Sequence, residues 1–448
     1  MMPGEPTSAE RGDPSRAAVA AAPSPAAGLP ARVLYVQHAG CLGGSATSLR
    51  LLVGAMRGCG IDCTIALARP VRELEDFYAA AGIPTIATPE LCCWDHSTVA
   101  PRFLTNPRHL LDLASVRARW RSSREATLRL VDRIRPDLVH LNSMPLSSSA
   151  EALTESGFPF VWHVREPPPD QGFRTRVISD IMRRAPQCVF ITSYDKREWI
   201  GDAPARIIYN CVPNEWFDRG VAAPGDGRRP PAGAGDVVRF AYMGSYSRPK
   251  GVTVLLDALR RLRKTPLRWE CVMPACLPDE RYVRKDRPVK RLARALGYRN
   301  LGERLLPRFR ELAPQVHLLP FVFDVRALLE SVDFVVFPAT LPHFPRPVIE
   351  AAALGKPAVG TNVGGVDECI VHGDTGLLCA PGDAAALAGA LEGMLTDEGL
   401  RRAAGEKARE RAIRLHSLAA QCEAIQSTYR SVLSGTTAGR SRMSHVPG

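Results

Sequence analysis

The sequence predicts two doubly wound α/β domains in tandem, each a parallel sheet flanked by helices. Three observations carry this expectation. A short apolar strand, a glycine turn and an amphipathic helix follow one another between Arg32 and Arg57. The same order returns between Val237 and Arg263. Between the two lies 219–236, full of Pro, Gly and Ala without an apolar period, as a linker should be. A chain of 448 residues is also too long for one ordinary core.

In the first half, Arg32-Val33-Leu34-Tyr35-Val36 reads as a strand. The turn Gly40-Cys41-Leu42-Gly43-Gly44 and a helix from about Thr47 to Arg57 follow it. Further strands are expected at Cys63–Leu67, Leu138–Leu141, Phe160–Val164, Cys188–Thr192 and Arg206–Tyr209. The second half opens with a strand at Val237–Met243. Its turn runs from Gly244 to Gly251 and its helix from about Val252 to Arg263. Strands are expected at Trp269–Met273, Val316–Leu319, Phe334–Phe337 and Pro357–Gly360, with a helix starting near Pro347. Leu400 to Val432 reads as one or two helices. The expected division is a disordered leader at 1–30, a first domain at 31–218, the linker, a second domain with the terminal helices at 237–432, and a loose tail at 433–448.

Composition narrows the class. Apolar residues make up 45% and charged residues 23%, a globular balance, and no run of about 18 apolar residues suggests a membrane span. The first thirty residues hold no continuous apolar core of the kind a secretion signal needs. The twelve cysteines are scattered without zinc-site spacing, which points to free thiols in a reducing cytoplasm. A net charge of +12 suits phosphate-bearing ligands or an anionic membrane surface. No nucleic-acid partner is expected.

Open parallel sheets bind ligands at the carboxyl ends of their strands, so two such domains face a ligand across a cleft. The Gly43-Gly44 turn opens a helix whose backbone N–H groups suit a phosphate, although a plain strand-to-helix turn explains it equally. Arg248 and Lys250 stand in the matching turn of the second half. A cation beside a helix start is disfavoured unless an anion is shared, although a solvated basic loop explains the pair equally. The run Phe344-Pro345-Arg346-Pro347-Val348-Ile349-Glu350 places proline at a helix start, closed by Gly355, with one acid at about the first turn that can accept two hydroxyl hydrogen bonds or else simply compensate the helix dipole. Asn362-Val363-Gly364-Gly365-Val366 is a second close-approach turn. His163, at a strand end, is by itself either a structural histidine or a ligand.

From Phe240 to Asp383 these residues resemble the donor domain of the family-four retaining glycosyltransferases, which have the GT-B fold. The markers are Gly244 with Lys250-Gly251, Phe321 to Val325, Val332-Asp333, Pro338, Val348-Ile349-Glu350-Ala351, Gly355-Lys356-Pro357, Gly364 to Glu368, Gly373 to Leu378, and Pro381-Gly382-Asp383. The first half matches through Gly43-Gly44, Asp137 to His140, Trp162-His163 and Asn210, so the resemblance spans about 32 to 430.

The resemblance implies a hexosyltransferase-like enzyme that uses a UDP- or GDP-linked sugar as donor. Glu350 would hold the donor ribose, Lys250 the diphosphate, Gly44 the phosphate and reacting sugar, and His163 the donor sugar at the reaction centre. Gly43, Ser245, Arg248, Phe344, Pro345, Arg346, Pro347 and Val348 would complete the donor site. Two positions depart from the pattern. Pro342 stands where a second glutamate is usual, and Ser245 where an arginine is often found, with Arg248 the nearby substitute. A degenerate nucleotide-sugar-binding or scaffold protein is therefore the alternative, and a nucleotide-sugar epimerase on the same plan a third reading.

No Asp-x-Asp pair occurs, so no metal and no other cofactor is expected. Lys, Arg and helix N-termini would stabilise the leaving diphosphate instead. Transfer would proceed on one face of the sugar through an oxocarbenium-like state, the leaving phosphate helping to remove the acceptor proton. The acceptor would be a hydroxyl of a glycan, a glycolipid or a small molecule. Residues 281–310 hold eleven Lys or Arg against Asp286 and Glu303. That charge fits either a solvated helical face or peripheral contact with the inner face of an anionic membrane.

Overall fold

The computed structural model describes residues 25–91, 107–169, 172–218, 237–274, 301–320, 322 and 324–443, without the side chains of 107–118 and 436–443. Residues 1–24 of the leader, the linker, most of 281–310, Phe321 and Phe323 therefore lie outside the described residues.

Seven strands form the first sheet: β1 (Arg32–Gln37), β2 (Asp62–Leu67), β3 (Thr85–Ala87), β4 (Leu138–Asn142), β5 (Phe160–Val164), β6 (Cys188–Phe190) and β7 (Arg206–Ile207). Their spatial order is β3-β2-β1-β4-β5-β6-β7, and every pairing is parallel. The connecting helices are α1 (Gly44–Gly58), α2 (Arg72–Ala79), α3 (Pro107–Ile134), α4 (Ser147–Ser156), α5 (Phe173–Arg184) and α6 (Ser193–Ile200).

The second sheet holds β8 (Val238–Tyr242), β9 (Trp269–Met273), β10 (Val316–Leu318), β11 (Phe334–Phe337), β12 (Ala358–Thr361) and β13 (Gly376–Cys379). Its order is β10-β9-β8-β11-β12-β13, again wholly parallel. Around it run α7 (Val252–Leu262), α8 (Leu301–Glu311), α9 (Val325–Glu330), α10 (Arg346–Ala353), α11 (Ala384–Thr396), α12 (Glu398–His416) and α13 (Leu418–Met443). In each sheet the strand order reverses once, beside β1 and β4 in the first and beside β8 and β11 in the second. Those reversals leave crevices at the carboxyl ends, where ligands bind in such sheets.

The helices form where apolar spacing and caps require them. On α1, Ala46, Leu49, Leu52, Val53 and Met56 recur every three or four residues and are buried. Asp324, Asp383 and Asp397 cap α9, α11 and α12 through their carboxylates, and the Thr192 hydroxyl accepts from the amide of Asp195 at the start of α6. The expected strand over Cys188–Thr192 accordingly stops at Phe190, because Thr192 is the cap of the next helix.

The terminal helix does not stay with the second domain. After α12, Val212 pairs with Ser417 in an isolated bridge, and the Val212 amide donates to His416 O at 2.8 Å. From there α13 crosses to the first domain, where Ile425, Tyr429 and Val432 enter the core formed by Val33, Tyr35, Leu49, Leu52 and Val53. Its apolar face matches a sheet face that α1 alone leaves uncovered. The expected tail at 433–448 is likewise corrected, since the helix runs on to Met443 and only 444–448 lie outside the described residues.

Candidate active site

The two sheets contribute loops to one cleft. On the first domain, α1 begins at Gly44 with an extended Gly43 as its cap and no side-chain capping bond. A methyl group placed on Gly43 or Gly44 would meet nothing within 4 Å, so this helix start faces open space. The second domain presents the turn after β8. There Gly251 holds φ +81°, and a Cβ would lie 1.7 Å from Pro338 O, so only glycine lets the turn pack against the loop after β11. The two loops are tied together. The Thr340 amide donates to Pro249 O at 2.8 Å, and its hydroxyl donates to Arg248 O at 3.1 Å.

Arg346 opens α10 and bridges the cleft. Its Nε donates to Glu350 Oε1 at 2.7 Å, and its Nη1 donates to Ser48 Oγ on α1 at 2.8 Å. Glu350 lies in the second turn of α10, not the first, so compensation of the helix dipole does not explain it. Burial raises its pKa, and the Arg346 charge and hydrogen bond pull it back. Lys250 is lowered by burial, and no ion pair engages its ammonium among the described residues. His343 stacks on Phe337, and burial together with the Lys250 charge lowers its pKa.

Arg248 is exposed on the β8 turn. Not every expected donor residue faces this cleft. Val348 is 2% exposed within the domain core, Pro345 is buried, and Phe344 packs edge-on to His416. Pro347 is half-buried in the first turn of α10, and Ser245 sits in the β8 turn with φ +49°. The glycine pair after β12 serves protein packing rather than ligand approach. A Cβ on Gly364 would lie 2.1 Å from the Tyr194 ring of the first domain, and Gly365 abuts His343 O.

His163 is the largest correction. It is 0% exposed, because alternation along β5 sends Trp162 and Val164 to one face of the sheet and His163 to the other. Beneath α1 and α13, its Nδ1 lies 3.2 Å from His140 Nε2, and His140 Nδ1 lies 2.8 Å from the Tyr429 hydroxyl. Burial, with the Arg165 charge, drives both histidines to the neutral form, His140 to about 3.

The residue that emerges at the sheet edge is Arg165, which motif matching passed over. Its Nε donates to Asn142 Oδ1 at 2.6 Å and its Nη1 to Asn210 Oδ1 at 2.5 Å. Nη2 lies 3.5 Å from His163 Nδ1, so the histidine supports the arginine from below. Period-two alternation past the strand end was the signal available for it.

A second set of contacts joins the domains. The Glu368 carboxylate accepts from the amides of Ser193 at 2.8 Å and Tyr194 at 3.0 Å, and from the Tyr209 hydroxyl at 3.1 Å. A carboxylate from one domain thus caps helix α6 of the other.

Comparison with known proteins agrees with this architecture. The model of the glycosyl transferases group 1 matches residues 229–411, and that of glycosyltransferase family 4 matches 42–216. The chain belongs to the group 1 glycosyltransferases and has the GT-B fold.

Among curated relatives of this glycosyltransferase, a glycogen synthase of Mycobacterium tuberculosis is 32% identical over 190 residues, 41% of this chain and 39% of the relative. An N-acetyl-alpha-D-glucosaminyl L-malate synthase of Bacillus anthracis is 42% identical over 87 residues, 19% of this chain and 23% of that one. These matches span well under half of each relative. Among solved structures, Anabaena HepE in complex with UDP and glucose superposes with a TM-score of 0.66 at 19% identity, covering 89% of this chain and 99% of that one. Sucrose-phosphate synthase from Thermosynechococcus elongatus gives 0.64 at 17%, covering 90% and 99%. At such identities the likeness establishes the fold.

Proposed function

We propose that this glycosyltransferase takes a hexose from a UDP- or GDP-sugar and transfers it, with retention at the anomeric carbon, to a hydroxyl of a glycan, a glycolipid or a small molecule. The observation that carries the reading is the Arg346 bridge. It sets Glu350 and the β8 turn bearing Lys250 opposite the uncapped, open start of α1. Lys250 and the α1 amides suit a diphosphate, and Glu350 suits two ribose hydroxyls once Arg346 yields one of its oxygens. UDP and glucose in the HepE complex fit a uridine nucleotide at the equivalent cleft.

The chemistry asks little of side-chain acids. The bond from the sugar to the diphosphate breaks, the acceptor oxygen joins the same face, and its proton passes to the departing phosphate. Cations and helix amides stabilise the charge that gathers there, with no resident metal. The acceptor site falls to the first domain, and the enzyme works in the cytoplasm. Contact with an anionic membrane would rest on 281–310, of which 281–300 lie outside the described residues. Within α8, Arg308 is already paired to Asp257 at 2.6 Å. Binding of UDP, GDP and their sugars, followed by assay of sugar transfer, tests the reading. Absence of any nucleoside diphosphate binding would overturn it.

A further inference from the structure

We propose that Arg165, reaching from the first domain, supplies the phosphate-binding arginine that the β8 turn lacks at Ser245, and grips the leaving diphosphate opposite Lys250. The inference rests on the nucleotide-sugar reading above. Among the described residues Arg165 forms no ion pair. The two oxygens that hold its guanidinium, on Asn142 and Asn210, belong to neutral amides. The neighbouring Glu166 carboxylate exerts its charge on Arg165 but spends its hydrogen bonds elsewhere. It accepts from the Ser143 hydroxyl and from the backbone amides of Met144 and Arg165. A guanidinium withdrawn from water without a carboxylate is costly unless an anion joins it. Burial lowers its pKa to about 10, so it stays charged at neutral pH.

The frame aims this cation at the same place as the rest of the site. Asn142 donates to Gln37 Oε1 at 2.5 Å, and Gln37 Nε2 donates to Ser45 Oγ at 3.4 Å in the first turn of α1. One turn on, Ser48 receives Arg346. Arg165 and Arg346 therefore meet around one helix start, and each charge is felt by the Cys211 thiol between their loops. Arg346 is paired directly with Glu350, whereas among the described residues no carboxylate pairs directly with Arg165 or Lys250. A diphosphate joined to a nucleoside and a sugar carries two negative charges, which these two cations match. When the sugar–oxygen bond breaks, its electron pair stays on the phosphate oxygen, and the forked guanidinium is suited to hold that charge. One cation comes from each domain, so the diphosphate is held fully only when the domains face each other.

Calorimetric titration of the full chain with UDP, UMP, uridine and the guanosine series tests this, for wild type, Arg165→Ala, Arg165→Lys, Ser245→Arg and the double variant Arg165→Ala/Ser245→Arg. Arg165→Ala should weaken diphosphate binding about tenfold to a hundredfold. Monophosphate binding should fall much less, nucleoside binding not at all, and Arg165→Lys should lie between. Ser245→Arg should restore part of the loss, a rescue that a merely structural arginine would not show. Near-wild-type preference for diphosphate over monophosphate in Arg165→Ala would overturn the inference while leaving the donor reading intact. So would equal losses for every ligand without rescue. Failure of the wild type to bind any diphosphate would overturn both.

Discussion

Arg346 donates to Ser48 Oγ at 2.8 Å, so a side chain that anchors Glu350 in one domain also touches the first helix of the other. On the proposed reading, donor binding and domain apposition share one residue. Removing the acid should show it. Glu350→Gln and Lys250→Ala should each lower turnover roughly a hundredfold to a thousandfold while the fold survives. Steady-state kinetics and circular dichroism check this, and near-normal turnover in both would contradict the site assignment.

Glu368 supplies three hydrogen bonds between the domains. Glu368→Ala should cost about 1–3 kcal/mol of interdomain association, because two helix amides and a phenol lose their acceptor. Small-angle scattering should report a larger radius of gyration for the empty protein, with each domain's far-ultraviolet signal intact. An unchanged radius would show that other contacts fix the closure.

Glycines in the two turns proposed to face the phosphates should behave oppositely. Gly251→Ala places a Cβ against Pro338 O at a left-handed backbone position, which should destabilise the second domain by more than about 2 kcal/mol. Gly43→Ala meets open space and an extended backbone. Its melting temperature should barely move, while nucleotide affinity falls because the methyl group crowds the helix start. Thermal melts with and without UDP separate the two effects.

Acid should unfold the protein through its buried histidines. Burial depresses His140 to about 3 and His416 to about 4, below the ordinary value near 6.5. The unfolded chain then binds protons that the folded chain refuses. Stability is therefore full above about pH 6.5 and declines as pH falls toward 4. At pH 5 each such histidine should cost about 2 kcal/mol. Denaturant melts from pH 4.5 to 8 measure the slope, and His416→Gln should flatten part of it.

Pro342→Glu should not improve use of the native donor. The position stands beside His343, whose pKa burial and the Lys250 charge lower, and a new carboxylate there would draw Lys250 away from the diphosphate. A large gain in activity would instead reveal a decayed sugar pocket.

Much of this was legible in the residues. Phe160–Val164, Trp269–Met273 and Phe334–Phe337 are mainly apolar runs, broken only by His163 and Glu270, and all three are strands at those limits. The strand β3, three residues long, and β13, which opens on Gly376, carried too little apolar pattern to be found. The path of α13 was hidden for another reason. Helical periodicity reveals an apolar face but not which sheet that face will cover. In the site, Lys250 and Glu350 follow from spacing, whereas His163 and Arg165 differ by two residues along one strand direction. Only the end of β5 at Val164 decides which of them reaches the cleft.

The most direct test of the central claim is incubation of the full chain with UDP- and GDP-sugars and a mixture of acceptors, following the anomeric proton by nuclear magnetic resonance. The account expects release of a nucleoside diphosphate coupled to a product of unchanged anomeric configuration, lost in Glu350→Gln. An inverted product would contradict retention. Binding of nucleotide-sugars without any transfer would contradict the enzyme.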